Sequence, residues 1–312
     1  MQMWDGKPYY SLDYYLKHRF GEKVYKIALD GGMTCPNRDG TLDTRGCIFC
    51  SAGGSGDFAA AREGDVTSQI TRAIAGIKQS KSTGNSFIAY FQSYTNTYAD
   101  ISYLRPLFTE AISHPDVVGL SVGTRPDCLP DHVVDLLAEL NSQKPVWVEL
   151  GLQTIHEDTA SFIRRGYTLD VFNKAVDTLH KNGLETIVHI ILGLPGEDTG
   201  RILQTIHYLN KVPIQGIKLQ LLHVLSGTDL AGMLGTFPIY TLEEYVDTVI
   251  TCLEHLSPET VIHRLTGDGP KDLLLVPDWS TKKRHVLNTI HKTMAEKNTY
   301  QGRYYRKGMN DT

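Results

Sequence analysis

Three of the five cysteines in this 312-residue sequence fall in one short segment, GGMTCPNRDGTLDTRGCIFCSAGGSG, where Cys35, Cys47 and Cys50 are separated by eleven and then two residues. Thiolates are soft ligands. A two-residue gap turns Cys47 and Cys50 toward one inorganic centre, while the longer loop carries Cys35 back to it. Gly40, Gly46, Gly53, Gly54 and Gly56 leave the surrounding backbone free to turn. Three ligands on a four-iron cluster leave one iron open, able to chelate the amino and carboxylate groups of a methionine moiety and to bring its sulfonium within reach of an electron. Zinc is the competing reading, because a C-x-x-C pair is common at structural sites; His18 or Asp39 would then supply the fourth ligand, although neither falls in the usual second pair. A redox dithiol is a third reading, and it leaves Cys35 without a role. Cys128 and Cys252 stand alone, as structural cysteines do, with hydrogen donation or thiol reactivity as the alternative. The uneven spacing is not that of a disulfide framework, and a reducing cytosol would keep all five as thiols.

The elements that must position this segment can be read around it. With 41% of residues hydrophobic and 21% charged, the composition is that of a globular chain with a substantial core. No long apolar run suits a bilayer, and the first residues lack the apolar stretch of a secretory signal, so the expectation is a cytoplasmic protein without membrane association. Strand-like runs rich in β-branched and aromatic residues occur at 24–29, 87–91, 117–122, 146–150, 186–192 and 216–221. Helical stripes separate them: Ile70, Ala73, Ile74 and Ile77; Val133, Val134, Leu137 and Leu140; and Phe172, Ala175, Val176 and Leu179 before an Asn182-Gly183 stop. Thr241 and Glu244 have capping-box spacing. Six strand–helix units are too few for the eight-stranded barrel. The expected fold is therefore α/β, an incomplete parallel TIM-type barrel of (β/α)6 form, with an ordinary doubly wound sheet as the alternative. Residues 1–23 read as an N-terminal extension, 24–235 as the partial barrel and 236–312 as a helical, basic C-terminal extension.

Residues 25–225 resemble the radical S-adenosylmethionine (radical SAM) superfamily, and specifically a branch with a lengthened first cysteine gap, similar to the catalytic core of Elongator-type proteins and to the family of bacterial YhcC and YtqA proteins. The superfamily's common form is C-x3-C-x2-C; the longer gap here matches the branch across the whole of CPNRDGTLDTRGCIFC. The resemblance implies a 4Fe-4S cluster on Cys35, Cys47 and Cys50 and S-adenosyl-L-methionine as cofactor, with Phe49 beside the adenine. Further motifs follow in superfamily order at 118–127, 147–154 and 189–198, each near the end of a strand, where parallel barrels gather ligands. By resemblance, Gln153 faces the ribose, Arg165 lies near the methionine carboxylate with Arg164 as its neighbour, and Gly193 and Pro195 form the turn beside adenine. Glu149, inside an apolar strand run, needs a partner or a raised pKa and marks a polar site. Arg125 and Asp127 are candidate substrate contacts or a local ion pair. His189 stands where related coproporphyrinogen-oxidising enzymes often have an acidic residue, and is either a core or a site histidine.

The resemblance further implies an enzyme that cleaves its cofactor to a 5′-deoxyadenosyl radical, supplied with electrons by a low-potential donor such as flavodoxin or ferredoxin. Likeness to the YtqA group implies a tRNA substrate, with a wobble 5-carboxymethylaminomethyl-2-thiouridine converted toward 5-aminomethyl-2-thiouridine. No segment resembles the acetyltransferase domain of Elongator-type enzymes, so their complete reaction is not expected. A net charge of −4 gives no support to general nucleic-acid binding, yet residues 281–312 are rich in lysine and arginine, and Arg303, Tyr304, Tyr305 and Arg306 combine charge with stacking surfaces. The alternatives are a radical SAM oxidoreductase acting on a small metabolite or porphyrin-like molecule, and a zinc-stabilised RNA-binding module.

Overall fold

The computed structural model describes residues 3–54, 59, 64–81, 83–267 and 269–306. Ser55 and Gly56 of the glycine run, and Lys307 and Asp311 of the C-terminal segment, lie outside the described residues. The chain opens with helix α1 (Leu12–Phe20), capped by the Ser11 side chain, and then enters β1 (Tyr25–Leu29). There follow α2 (Val66–Ser80), β2 (Phe87–Phe91), α3 (Ile101–Ser113), β3 (Val117–Thr124), α4 (Asp131–Asn141), β4 (Val146–Gln153), α5 (Glu157–Phe162), α6 (Leu169–Lys181), β5 (Glu185–Leu192), α7 (Thr199–Leu209) and β6 (Gly216–Leu221). The remainder contributes β7 (Val224–Leu225), α8 (Leu242–His255), β8 (Val261–Arg264), β9 (Leu274–Val276) and α9 (Lys283–Glu296). All six strands expected from the sequence are present, and the Thr241–Glu244 capping box starts α8.

Strands pair in parallel in the order β1-β2-β3-β4-β5-β6-β8, an open, curled half-barrel of seven strands rather than six. The seventh, β8, comes from the segment expected to be a helical extension. It is only four residues long, and the polar His263 and Arg264 occupy half of it, so it carries too little apolar pattern to read as a strand.

Alternation along each strand divides the sheet into two faces. Ile27, Leu29, Phe87, Ala89, Phe91, Val148, Leu150, Val188, Ile190, Ile217 and Leu219 point outward into the core shared with the helices, where Phe91 meets Phe108 edge-on at 5.2 Å between ring centroids. Each of these fully buried Val, Leu, Ile and Phe side chains stabilises the fold by about 1.5–3 kcal/mol relative to exposure. On the inner face, Ile88, Trp147 and Ile187 form a dry layer at the N-terminal ends of the strands, and Leu16 of α1 packs onto it. The N-terminal segment is thus a plug for the closed end of the half-barrel. The opposite end, where the strands finish, is left to the loops.

Candidate active site

The loop after β1 carries the cysteine segment across the C-terminal ends of the strands. Its path is fixed by short-range bonds. Asn37 accepts the Gly46 N–H on its carbonyl at 2.7 Å, and its side-chain amide donates to Arg164 O at 2.8 Å. Arg38 donates to the carbonyls of Cys50 at 3.0 Å and Ser51 at 2.5 Å. Gly46 has φ +77°, and a Cβ there would stand 2.9 Å from Arg38 Nε, so glycine is required for both the turn and the clasp. Ile48 N donates to Ile163 O while Ile48 O accepts from Leu230 N, and Ile48 is buried with Ile163, Ile191, Leu194 and Leu222, with Phe49 packed beside them.

Cys35, Cys47 and Cys50 all line one pocket of about 270 Å³ at this mouth, together with Phe49, Gly151, Gln153, Arg165, Tyr167, His189 and Lys218. All three are free thiols. Cys47 is drawn down to about 7 by its bond with Cys50, against burial, with further help from the Asn37 amide and the Arg125 and Arg38 charges; Cys50, as the partner that keeps the proton, is pushed up. Thiolate character is what a metal ligand needs. Among the described residues no three Cys, His, Asp or Glu side chains converge on a single ion. His18, weighed as a zinc ligand, sits on α1 at the plugged end and bonds Tyr14 O; Asp39 is exposed and accepts from Thr41 N. Three free thiols lining one mouth are the soft donor set of a cluster with an open iron, and the pocket beside it offers an orphaned acceptor, Gln153 Oε1, buried without a partner on a residue held at φ +66°. That fits a hydroxyl-bearing cofactor such as S-adenosylmethionine.

The other expected residues divide into three groups. Glu149 is wholly buried at the pocket floor, where Oε1 accepts from Lys26 Nζ at 2.6 Å and Ser121 Oγ at 2.7 Å, and Oε2 lies 2.7 Å from His189 Nε2 and also accepts from Lys218 Nζ. Burial favours its neutral form, but Lys218, Lys26 and His189 outweigh that and hold it well below the usual carboxylate range. His189 is lowered to about 4, chiefly by burial and then by Lys218, so it is a neutral donor. Gln153 and Phe49 face the pocket, as does Arg125, whose Nε and Nη2 grip Asp127 at 2.9 and 2.7 Å and whose Nη1 donates to Arg165 O.

Arg165 also lines the pocket, yet its N–H groups are directed at the carbonyls of Tyr167, Leu152 and Thr154 at 2.6–3.0 Å and at Glu157 at 3.4 Å. Its evident work is to clamp the end of β4. Arg164 pairs with Asp229 at 2.6 Å.

A third group stands apart from the pocket. Gly193, with φ +91°, packs its turn against Tyr240, and Leu194 supports the cysteine loop from below, with Pro195 next in the turn. The Arg303–Arg306 segment docks on α8: Tyr304 N donates to Glu254 O at 2.8 Å and its ring lies 5.3 Å from His255. Cys128 and Cys252 are buried and each raised to about 12 by burial, neither lining this pocket. Sequence reasoning missed Lys26, Ser121 and Lys218. The signal was present: a lysine inside the apolar runs VYKIAL and GIKLQL is as conspicuous as Glu149 in VWVEL.

Comparison with known proteins places this geometry. Residues 44–209 match the model described as radical SAM superfamily, and residues 214–296 match the radical SAM C-terminal domain. The chain is 45% identical over 303 residues to the Bacillus subtilis protein called uncharacterized protein YtqA, covering 96% of this chain and 94% of that one. It is 27% identical over 185 residues to a tRNA uridine(34) acetyltransferase of Methanocaldococcus jannaschii, covering 57% of this chain and 33% of that protein. The solved structure of the archaeal Methanocaldococcus infernus Elp3 with its N-terminus deleted superposes with a TM-score of 0.67 over 89% of this chain and 64% of that chain; at 17% identity this likeness speaks for the fold. No described helix is long and apolar enough to cross a membrane. With three thiols at the open end of a parallel half-barrel and a family match spanning the sheet, the chain belongs to the radical SAM superfamily and is an enzyme of that class.

Proposed function

We propose that this enzyme holds a 4Fe-4S cluster on Cys35, Cys47 and Cys50, binds S-adenosylmethionine beside it, and acts on tRNA, converting wobble 5-carboxymethylaminomethyl-2-thiouridine toward 5-aminomethyl-2-thiouridine. The observation that carries the reading is the cysteine mouth opening directly onto a pocket lined by Arg125, Arg165 and Lys218; support for RNA comes from similarity to a protein named for uridine-34 chemistry.

When bound, the cluster and cofactor supply one-electron cleavage to a carbon radical able to take hydrogen from an inert C–H bond, with electrons from a low-potential donor such as flavodoxin or ferredoxin. The chain's own part is placement. Asn37 and Arg38 hold the cysteine loop, Phe49 and Gln153 offer an apolar face and a hydrogen-bonding end to the nucleoside, and Arg165 keeps the β4 end rigid beneath them. Glu149, saturated by four donors, fixes Lys26 and Lys218 in the floor. In the arm of the proposed substrate, the methylene between nitrogen and carboxylate has a weakened C–H bond, since both substituents stabilise a radical there.

The test is anaerobic reaction of reconstituted protein with S-adenosylmethionine, a low-potential reductant and undermodified tRNA, followed by mass spectrometry of nucleosides and 5′-deoxyadenosine. RNA-dependent loss of the carboxymethyl arm is expected. Cofactor turnover with intact RNA would instead point to a small metabolite.

A further inference from the structure

The inner face of the sheet carries one polar layer below the mouth, to which all seven parallel strands contribute: Lys26 from β1, Tyr90 from β2, Ser121 from β3, Glu149 from β4, His189 from β5, Lys218 from β6 and Arg264 from β8. Within it Lys26 and Lys218 share one carboxylate, Glu149. Burial and His189's neighbours keep that histidine neutral, so the Glu149 carboxylate stands against two lysines, Lys26 and Lys218, both bonded to it. A buried excess of positive charge is costly unless something anionic compensates it. Burial pulls Lys218 down to about 7, against Glu149 and with Arg264 and Lys26 adding to it. Of the three Lys218 hydrogens, one is directed at Glu149 and one at Tyr90 OH, 3.2 Å away, which leaves one for a ligand.

Two carboxylates are candidates for this place, the cofactor's and the substrate's. Depth separates them. Glu149 lies three extended residues, roughly 10 Å, before Leu152, and Gln153 follows across a bulge. A cofactor whose amino and carboxylate groups chelate the open iron must keep its own carboxylate at the mouth, beside the cysteines. Resting on the function proposed above, we propose that the layer is a receptor for a substrate carboxylate, in that reading the end of the carboxymethylaminomethyl arm, with Lys218 as its contact. It makes the carboxylate the feature by which substrate is told from product.

Cluster-reconstituted protein saturated with S-adenosylmethionine is titrated with N-methylglycine carrying a 13C-labelled carboxyl group, followed by NMR line broadening; the probe is a carboxylate beside a secondary amine. Saturable binding is expected, weakened about tenfold or more in Lys218→Gln and partly restored in Lys218→Arg. Iron content and visible absorption confirm that the variants retain the cluster. Displacement of the probe by S-adenosylmethionine, absence of saturable binding, or a Lys218→Gln variant that binds like wild type would overturn the proposal. A second arm compares anticodon stem-loops bearing 5-carboxymethylaminomethyl- or 5-aminomethyl-2-thiouridine: preference for the first upholds both readings. If N-methylglycine binds while the stem-loops are not distinguished, the receptor stands and the tRNA assignment falls.

Discussion

At the mouth of the pocket three cysteines come from a single segment, residues 35–50, whereas the floor takes one polar side chain from each of seven strands scattered between residues 26 and 264. The mouth is made by turns, backbone bonds, the Asn37 and Arg38 side chains and one buried isoleucine, and its chemistry is that of its cysteines. The floor exists only when the sheet is complete, and its chemistry is that of mutual charge in a dry setting. A local device of the first kind can be altered without disturbing the fold. A collective one of the second kind cannot, because removing one member leaves the others buried without compensation.

The largest expected effect separates the two. Cys47→Ala should abolish cluster assembly, seen as loss of bound iron and sulfide and of cofactor cleavage, while thermal unfolding changes little, since Cys47 lies in the loop rather than the core. At the floor, Glu149→Gln should instead destabilise the protein by about 3–5 kcal/mol in denaturant unfolding, because Lys26 and Lys218 lose their counter-charge. A double change, Glu149→Leu with Lys218→Met, should cost less than the single one; an equal or larger cost would show that the floor is not a coupled charge set.

Arg165→Lys should come next, losing about 1–3 kcal/mol as the carbonyls of Leu152, Thr154 and Tyr167 lose their planar donor. If Arg165 serves the cofactor instead, this variant would lose S-adenosylmethionine affinity with stability intact. Smaller still is a pH effect on N-methylglycine binding. Lys218 titrates near 7, so a bound carboxylate favours its charged form and the complex holds more protons; affinity should fall as pH rises through about 7, by at most about tenfold per unit. The groups facing it are Lys26, Tyr90, Ser121, Glu149, His189, His263 and Arg264. Of these, Glu149 stays ionised, Tyr90 protonated and the two histidines neutral across that range. The effect should vanish in Lys218→Gln.

The same contrast explains what was legible beforehand. The cysteine segment announces itself because its ligands, glycines and aromatic are contiguous, and the six strands do so because they are long and apolar. β8 is silent, since four residues with two polar side chains make no pattern. The partnership of Glu149 with Lys26, Ser121, His189 and Lys218 was equally hidden: the odd carboxylate and lysines could be seen, but their meeting depends on strand order and the stagger between strands. Arg165 shows a subtler gap. It lines the pocket, but the carbonyls that bind it are those of Leu152, Thr154 and Tyr167, and sequence spacing does not report where carbonyls point.

The most direct test of the central claim is electron paramagnetic resonance of the anaerobically reconstituted, reduced protein before and after S-adenosylmethionine is added. A 4Fe-4S cluster with one open iron predicts a signal that changes on addition of the cofactor and is absent in the Cys47→Ala variant. A signal indifferent to S-adenosylmethionine, or protein that carries stoichiometric zinc without sulfide and never yields a cluster, would contradict it.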